Sequence, residues 1–303
     1  MRFGISPLSL DFVIDKVLKD KGLAGLTQFK LSELMEGVAK AGYKHCEIIF
    51  DIFQLFPIQI TEEEIQKLKN IKQEYGLTYS AHFPFISIEL ASPNKFIREG
   101  SINSIVDSYN MFIQLEEDID VYVLHATGEF IADAMGFIMH PDIFPVATNL
   151  FADLSIQSIK EIIKRTGLDR NKIAIENIDF PFETTVKMVE KTGTKLCIDT
   201  AHVLGGLSGE CDLMDIAQKY LDIAAEIHLQ DYNLEGLIDH GALGTGKNFP
   251  PEFLNFLHQR NFTGPIVFEL PRREALKSIE YIKKHVPQID LPNVKETTLL
   301  LKK

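Results

Sequence analysis

The sequence predicts a parallel α/β barrel of eight strand-helix units, and three observations carry that expectation. Eight short hydrophobic runs alternate with segments of helical periodicity along 303 residues. Carboxylate and imidazole residues recur where those runs end, at the rim where such barrels build their sites. The first run is followed by no glycine-rich GxGxxG turn, which disfavours the rival doubly wound sheet.

The expected strands are 2-RFGIS-6, 45-HCEIIF-50, 78-TYSAHF-83, 121-VYVLHAT-127, 173-IAIENI-178, 195-KLCIDT-200, 226-EIHLQD-231 and 265-PIVFEL-270. Each is a short apolar run of the kind that helices cover on the outside of a barrel while apolar side chains fill the centre. Between them, 62-EEEIQKLKNIKQEY-75 carries apolar residues at 65, 68, 71 and 75 among charges, and Gly76 marks its end. Further helices are expected near 33–41, 94–117, 148–166, 183–191, 212–220, 250–259 and 272–286. The segment 128-GEFIADAMGFIMHPDIFPVATN-149 is long for a βα loop and is expected to be an irregular insertion serving as a lid. No low-complexity linker divides the chain, so residues 1–303 are expected to form a single barrel domain.

Composition narrows the class. With 45% hydrophobic and 24% charged residues, the chain can bury a large core. Cys46, Cys197 and Cys211 are odd in number and lack CxxC spacing, which argues against a disulfide framework and for a reducing, cytoplasmic setting. Neither a signal peptide nor a membrane span is expected from the hydropathy pattern. A net charge of -12 argues against a protein that coats nucleic acid, although carboxylates that bind metal add to that count.

The strand ends carry the chemistry. His82, His125, Glu176, Asp199, His228 and Glu269 fall at the ends of six successive strands, with His202 three residues beyond Asp199. A lone histidine on a strand is ordinarily a hydrogen-bonded core residue, but six successive strand ends aim ligand types at one pocket. Gathering three carboxylates at a barrel mouth costs several kcal/mol per uncompensated charge. No Lys or Arg stands at those ends, so a divalent cation is the economical partner. Mixed imidazole and carboxylate ligands suit zinc or manganese, at one or two ions per chain. His202 and His240 are candidates for a third ion or for substrate contact. Glu47, Asp51 and Lys247 are candidates for substrate binding, with Lys247 and the backbone of 240-HGALGTGKN-248 suited to a phosphate. His140 lies in the expected lid, whereas His258 and His285 read as helix-surface residues and His45 as a strand start on the opposite rim.

At these residues the sequence resembles the xylose isomerase-like TIM barrel superfamily, which includes endonuclease IV and sugar epimerases related to tagatose 3-epimerase. The resemblance runs through 81-AHFPF-85, 124-LHATG-128, 175-IENI-178, 198-IDTAHVLGG-206, 227-IHLQDYN-233, 240-HGALGTG-246 and 268-FELP-271. It implies, as in endonuclease IV, one metal on His82, His125 and Glu176 and a second on Glu176, Asp199, His228 and Glu269, bridged by Glu176. The third zinc of that enzyme uses the histidine matched by His202 and an Asp-x-His pair. Here His240 matches the histidine, but Ile238 occupies the aspartate position and Asp239 is displaced by one. The epimerases resemble this chain at the four residues of the second group.

Two reactions follow from the resemblance. In a sugar isomerase or epimerase, one metal polarises the substrate carbonyl, Glu176 and Glu269 pass a proton between them, and His202 binds a substrate oxygen. In an abasic-site endonuclease, paired zinc ions cleave a phosphodiester, with Phe85 and Ile86 as wedges and Arg98, Arg272 and Arg273 near phosphates. The displaced aspartate favours the isomerase or epimerase of a small sugar, a carbohydrate rather than a nucleic-acid partner, with the endonuclease as the alternative.

Overall fold

The computed structural model describes residues 1–7, 22, 25, 29–56, 58–137, 142–233, 235–236, 238–246 and 248–294. His140 and Lys247 lie outside the described residues. The expected barrel is present. Strands β1 (Arg2–Ile5), β2 (His45–Ile49), β3 (Thr78–His82), β4 (Ile119–Leu124), β5 (Ile173–Glu176), β6 (Lys195–Asp199), β7 (Ala224–His228) and β10 (Pro265–Phe268) close in the order β1-β10-β7-β6-β5-β4-β3-β2. All eight pairings are parallel.

Local chemistry explains the covering helices. Thr61 caps Glu62–Tyr75 by accepting from Glu64 N at 3.2 Å, and Gly76 ends it at φ 65°. Helix Leu31–Ala41 has no side-chain cap at Lys30 and draws on its neighbour instead. The buried Glu64 carboxylate accepts from Ser32 N and Ser32 Oγ, each at 3.1 Å. Gly4 permits the closure of β1 on β2, because a Cβ there would stand 2.7 Å from His45 O.

The lumen departs from the expected apolar filling. Outward-facing residues such as Ile48, Tyr79, Tyr122, Ile175, Ile198 and Phe268 pack under the helices in the main core. Each such buried side chain contributes roughly 1.5–3 kcal/mol. Inside, Val121, Val123, Ala174 and Cys197 form a small separate apolar cluster from β4, β5 and β6. The other side is polar: Ser80 on β3 donates to Glu226 on β7 at 2.8 Å, and His228 on β7 lies 3.3 Å from Glu47 on β2, both across the lumen. Strand alternation produces this division, since His45 and Glu47, Ser80 and His82, and Glu226 and His228 are spaced two apart.

Three further departures lie at the mouth. The segment after β4 is not irregular throughout, because it contains helix Glu129–Gly136, and the following helix begins at Phe144. Short helices Asp51–Leu55 and Thr200–Leu204 follow β2 and β6. A two-stranded antiparallel hairpin, β8 (Asp231–Asn233) and β9 (Ile238–Gly241), follows β7 and carries Asp239 and His240.

Candidate metal centre

Glu176, Asp199 and His228 are the last residues of β5, β6 and β7, His82 ends β3, and His125 and Glu269 stand one residue past β4 and β10. The parallel barrel therefore delivers all six to one rim. The three-residue spacing of Asp199 and His202 has a local cause. Asp199 is the N-cap of helix Thr200–Leu204, and its Oδ1 accepts from His202 N at 2.8 Å. The first helical turn then swings the His202 ring back over the pocket, with Nδ1 3.1 Å from Glu176 Oε1.

Glu176 is the hub. Its Oε2 lies 3.2 Å from both His82 Nε2 and His125 Nε2, and its Oε1 lies 3.1 Å from His202 Nδ1 and 3.5 Å from His228 Nδ1. His228 Nδ1 also lies 3.0 Å from Glu269 Oε2 and 3.8 Å from Asp199 Oδ2. His240 Nε2 lies 3.3 Å from Glu269 Oε2 and 3.8 Å from Asp199 Oδ2. Three groups thus merge: His82, His125 and Glu176; Glu176, Asp199, His228 and Glu269; and Asp199, His202 and His240. Within each group the ligand atoms lie within 4.8 Å of one another.

The donors fit divalent ions. His202 Nδ1 and His228 Nδ1 are buried beside carboxylate oxygens yet make no hydrogen bond. A ring nitrogen buried amid carboxylates and bonded to none is a donor that a cation would satisfy. The charge balance agrees. Burial alone would lower the imidazole pKa values, but Glu176 and its neighbouring carboxylates raise His82 and His202 to about 9. Burial is likewise overcome at His240, raised to about 11 by Asp239 and Glu269. Burial would raise Glu176 and Glu269, yet the imidazoles, His228 foremost, hold both carboxyls well below the usual range. Asp199 is the exception, pushed up by burial. The site thus demands positive charge, supplied by protons or by metal ions.

Further side chains hold these residues. Gln230 Nε2 donates to Asp199 Oδ2 at 2.5 Å and to Glu269 Oε2 at 3.2 Å, while Gln230 Oε1 accepts from Glu269 N at 3.1 Å. Asn177 bridges β5 and β6, accepting from Asp199 N at 2.7 Å and donating to Asp199 O at 3.1 Å. Gln230 is absent from the residues expected at the site, although its place two residues after His228 signals the same inward face. Asp239 is displaced by one in the sequence, yet its Oδ2 lies 2.9 Å from His240 Nδ1 and 3.7 Å from His202 Nε2.

Other expected contacts are placed differently. Glu47 is fully buried beneath His228 rather than open to substrate. In the glycine-rich turn, Gly244 N and Gly246 N both donate to Asp231 Oδ2 at 2.9 Å, so these two N–H groups are not free for a phosphate. Asp51 is buried and binds Phe85 N and Ile86 N, the latter at 2.9 Å, fixing the loop after β3. Phe85 stacks on His125 with ring centroids 5.0 Å apart, so it walls the first ligand group instead of projecting as a wedge. His258 and His285 are exposed on helices, and buried His45 bonds Thr78 and Ser80 at the other end of the lumen.

Known proteins share this architecture. An uncharacterized protein of Methanocaldococcus jannaschii is 27% identical over 234 residues, spanning 75% of this chain and 80% of the relative. Endonuclease IV from Thermus thermophilus superposes with a TM-score of 0.67 at 17% identity, covering 95% of this chain and 100% of that one. A D-tagatose 3-epimerase-like protein gives 0.65 at 19% identity, covering 95% and 97%. These two structures share the fold. A family model matches residues 35–285, and the chain belongs to the xylose isomerase-like TIM barrel family.

Proposed function

We propose that this protein is a divalent-metal-dependent phosphoesterase whose ions share the bridging ligand Glu176. The observation that carries the reading is the position of Glu176, with Oε2 between His82 and His125 and Oε1 between His202 and His228. A buried carboxylate with imidazole nitrogens close to both oxygens is suited to holding more than one ion.

Bound divalent ions would supply Lewis acidity for a phosphoryl group and lower the pKa of water. The protein supplies position. Gln230 orients Asp199 and Glu269 through its amide. Asp239 and His240 are a partly exposed pair at the rim, at 36% and 30%, and Asp239 would orient His240 toward an ion held with Asp199 and His202. Phe85 gives the pocket an apolar wall beside His125. Helix Glu129–Gly136, tethered by Phe130 N to Glu89 Oε1 at 2.8 Å, is the segment we assign as the lid. A net charge of -12 and exposed Glu129 and Asp133 after β4 favour a small phosphorylated substrate over duplex DNA.

A second reading, a sugar isomerase or epimerase, draws on the four-ligand group Glu176, Asp199, His228 and Glu269. Metal analysis and paired assays separate the two. The phosphoesterase requires two or more zinc or manganese ions per chain and metal-dependent hydrolysis of bis(p-nitrophenyl) phosphate or a small phosphomonoester. One ion per chain, with exchange of ketose C–H hydrogen for solvent deuterium and no ester hydrolysis, would establish the second reading. Nicking of abasic-site DNA would show that the acidic rim had been given too much weight.

A further inference from the structure

Below the rim ligands, the lumen holds a second set of buried carboxylates. Glu47 on β2 and Glu226 on β7 are both 0% exposed, and their ligand atoms and those of His228 lie within 4.8 Å of one another. Glu226 Oε1 accepts from Ser80 Oγ at 2.8 Å, and Ser80 Oγ is 2.9 Å from His45 Nε2. Glu47 Oε2 lies within hydrogen-bond reach of His228 Nε2, at 3.3 Å. Glu47 Oε1, Glu226 Oε2 and His228 Nδ1 are buried without a hydrogen-bond partner.

A neutral imidazole carries its proton on one nitrogen and its lone pair on the other, and His228 faces carboxylates from both. Nε2 makes a hydrogen bond and Nδ1 makes none. We propose that Glu47 is a positioning residue for the metal centre: it accepts Nε2–H of His228 and so keeps the Nδ1 lone pair aimed at the space bounded by Glu176, Asp199 and Glu269. The geometry gives the contact its specificity, since His228 is the described hydrogen-bond partner of Glu47 Oε2 and Glu226 is anchored separately through Ser80. Such an acceptor fixes ring orientation and raises ligand basicity, which strengthens metal binding.

This inference rests on the reading that His228 holds a metal, so zinc binding to the wild-type chain is measured first; failure at that step sinks the reading itself. Full-length Glu47→Leu and Glu47→Gln are then stripped with chelator and titrated with zinc against a competing chromophoric chelator. Glu47→Leu is expected to weaken zinc binding about 10–100-fold. Glu47→Gln retains a carbonyl acceptor for Nε2–H and is expected to lose clearly less. In zinc-loaded wild type, ¹⁵N spectra should show the His228 proton on Nε2, a signature that a purely structural role for Glu47 would not require. Wild-type affinity in Glu47→Leu overturns the proposal. So does loss of one ion per chain from both variants with the remaining affinity unchanged, which would identify Glu47 and Glu226 as ligands of a buried cation. If Glu47→Leu fails to fold, a proton found on Nδ1 of zinc-loaded wild type overturns it equally.

Discussion

Asp239 Oδ2 lies 2.9 Å from Nδ1 of the residue that follows it, His240. Adjacent residues achieve this because His240 takes a left-handed backbone, φ 57°, which turns its ring back toward the carboxylate while Nε2 still faces Asp199 and Glu269. Strain at a non-glycine residue of this kind costs on the order of 1–3 kcal/mol and gathers at functional sites.

Asp239→Ala should therefore weaken an ion held by Asp199, His202 and His240 about tenfold or more while leaving the ions around Glu176 in place. Metal content after dialysis against graded chelator measures this, and an unchanged retention profile would remove Asp239 from the site.

Glu176→Gln should have a larger effect. One neutral amide replaces the carboxylate shared by His82, His125, His202 and His228, so more than one ion should be lost and hydrolysis should disappear. Retention of activity in this variant is incompatible with a bridging role.

Removing metal should leave a protein whose stability depends on pH in a defined window. His82 and His202 are raised from 6.5 to about 9, so their stabilising protons are fully present below pH 6.5 and lost as pH rises through about 9. Glu176 and Glu269 are depressed below 4.5, so their contribution is present above that value and lost as pH falls through the folded-state values. Metal-free protein should accordingly be most stable between about pH 4.5 and 6.5. Added zinc should stabilise it most toward pH 9, where protons and metal no longer compete. Thermal unfolding with and without chelator across pH 4–9 tests this, and parallel curves would contradict it.

Gln230→Leu should cost roughly 1–3 kcal/mol of stability, because the buried Asp199 and the partly buried Glu269 each lose a donor and Glu269 N loses its acceptor. Metal affinity should fall as well, whereas an ordinary core substitution would lower stability alone. Urea unfolding of the chelated protein and zinc titration together separate the two effects.

The barrel was legible because its signals are local. Hydrophobic runs, helical periodicity and terminators such as Gly76 act within a few residues, and eight repetitions of one unit leave little choice of topology. The gathering of imidazoles and carboxylates at one rim was legible for the same reason, since a parallel strand delivers its last side chain to a known end. What escaped was set by other chain segments. The helical character of Glu129–Gly136 was masked by the glycine and proline around it. Asp231, rather than a ligand, took the glycine-rich turn's N–H groups.

The sequence alone determined that eight βα units would place imidazoles and carboxylates on one rim, because strand direction and side-chain alternation follow from backbone geometry. Only the tertiary structure decided how those groups share space: that Glu176 lies among four imidazoles, that Glu47 sits beneath His228, and that Asp239 reaches both His240 and His202. Those relations are distances between residues as far as 181 positions apart, and the closing of the barrel sets them.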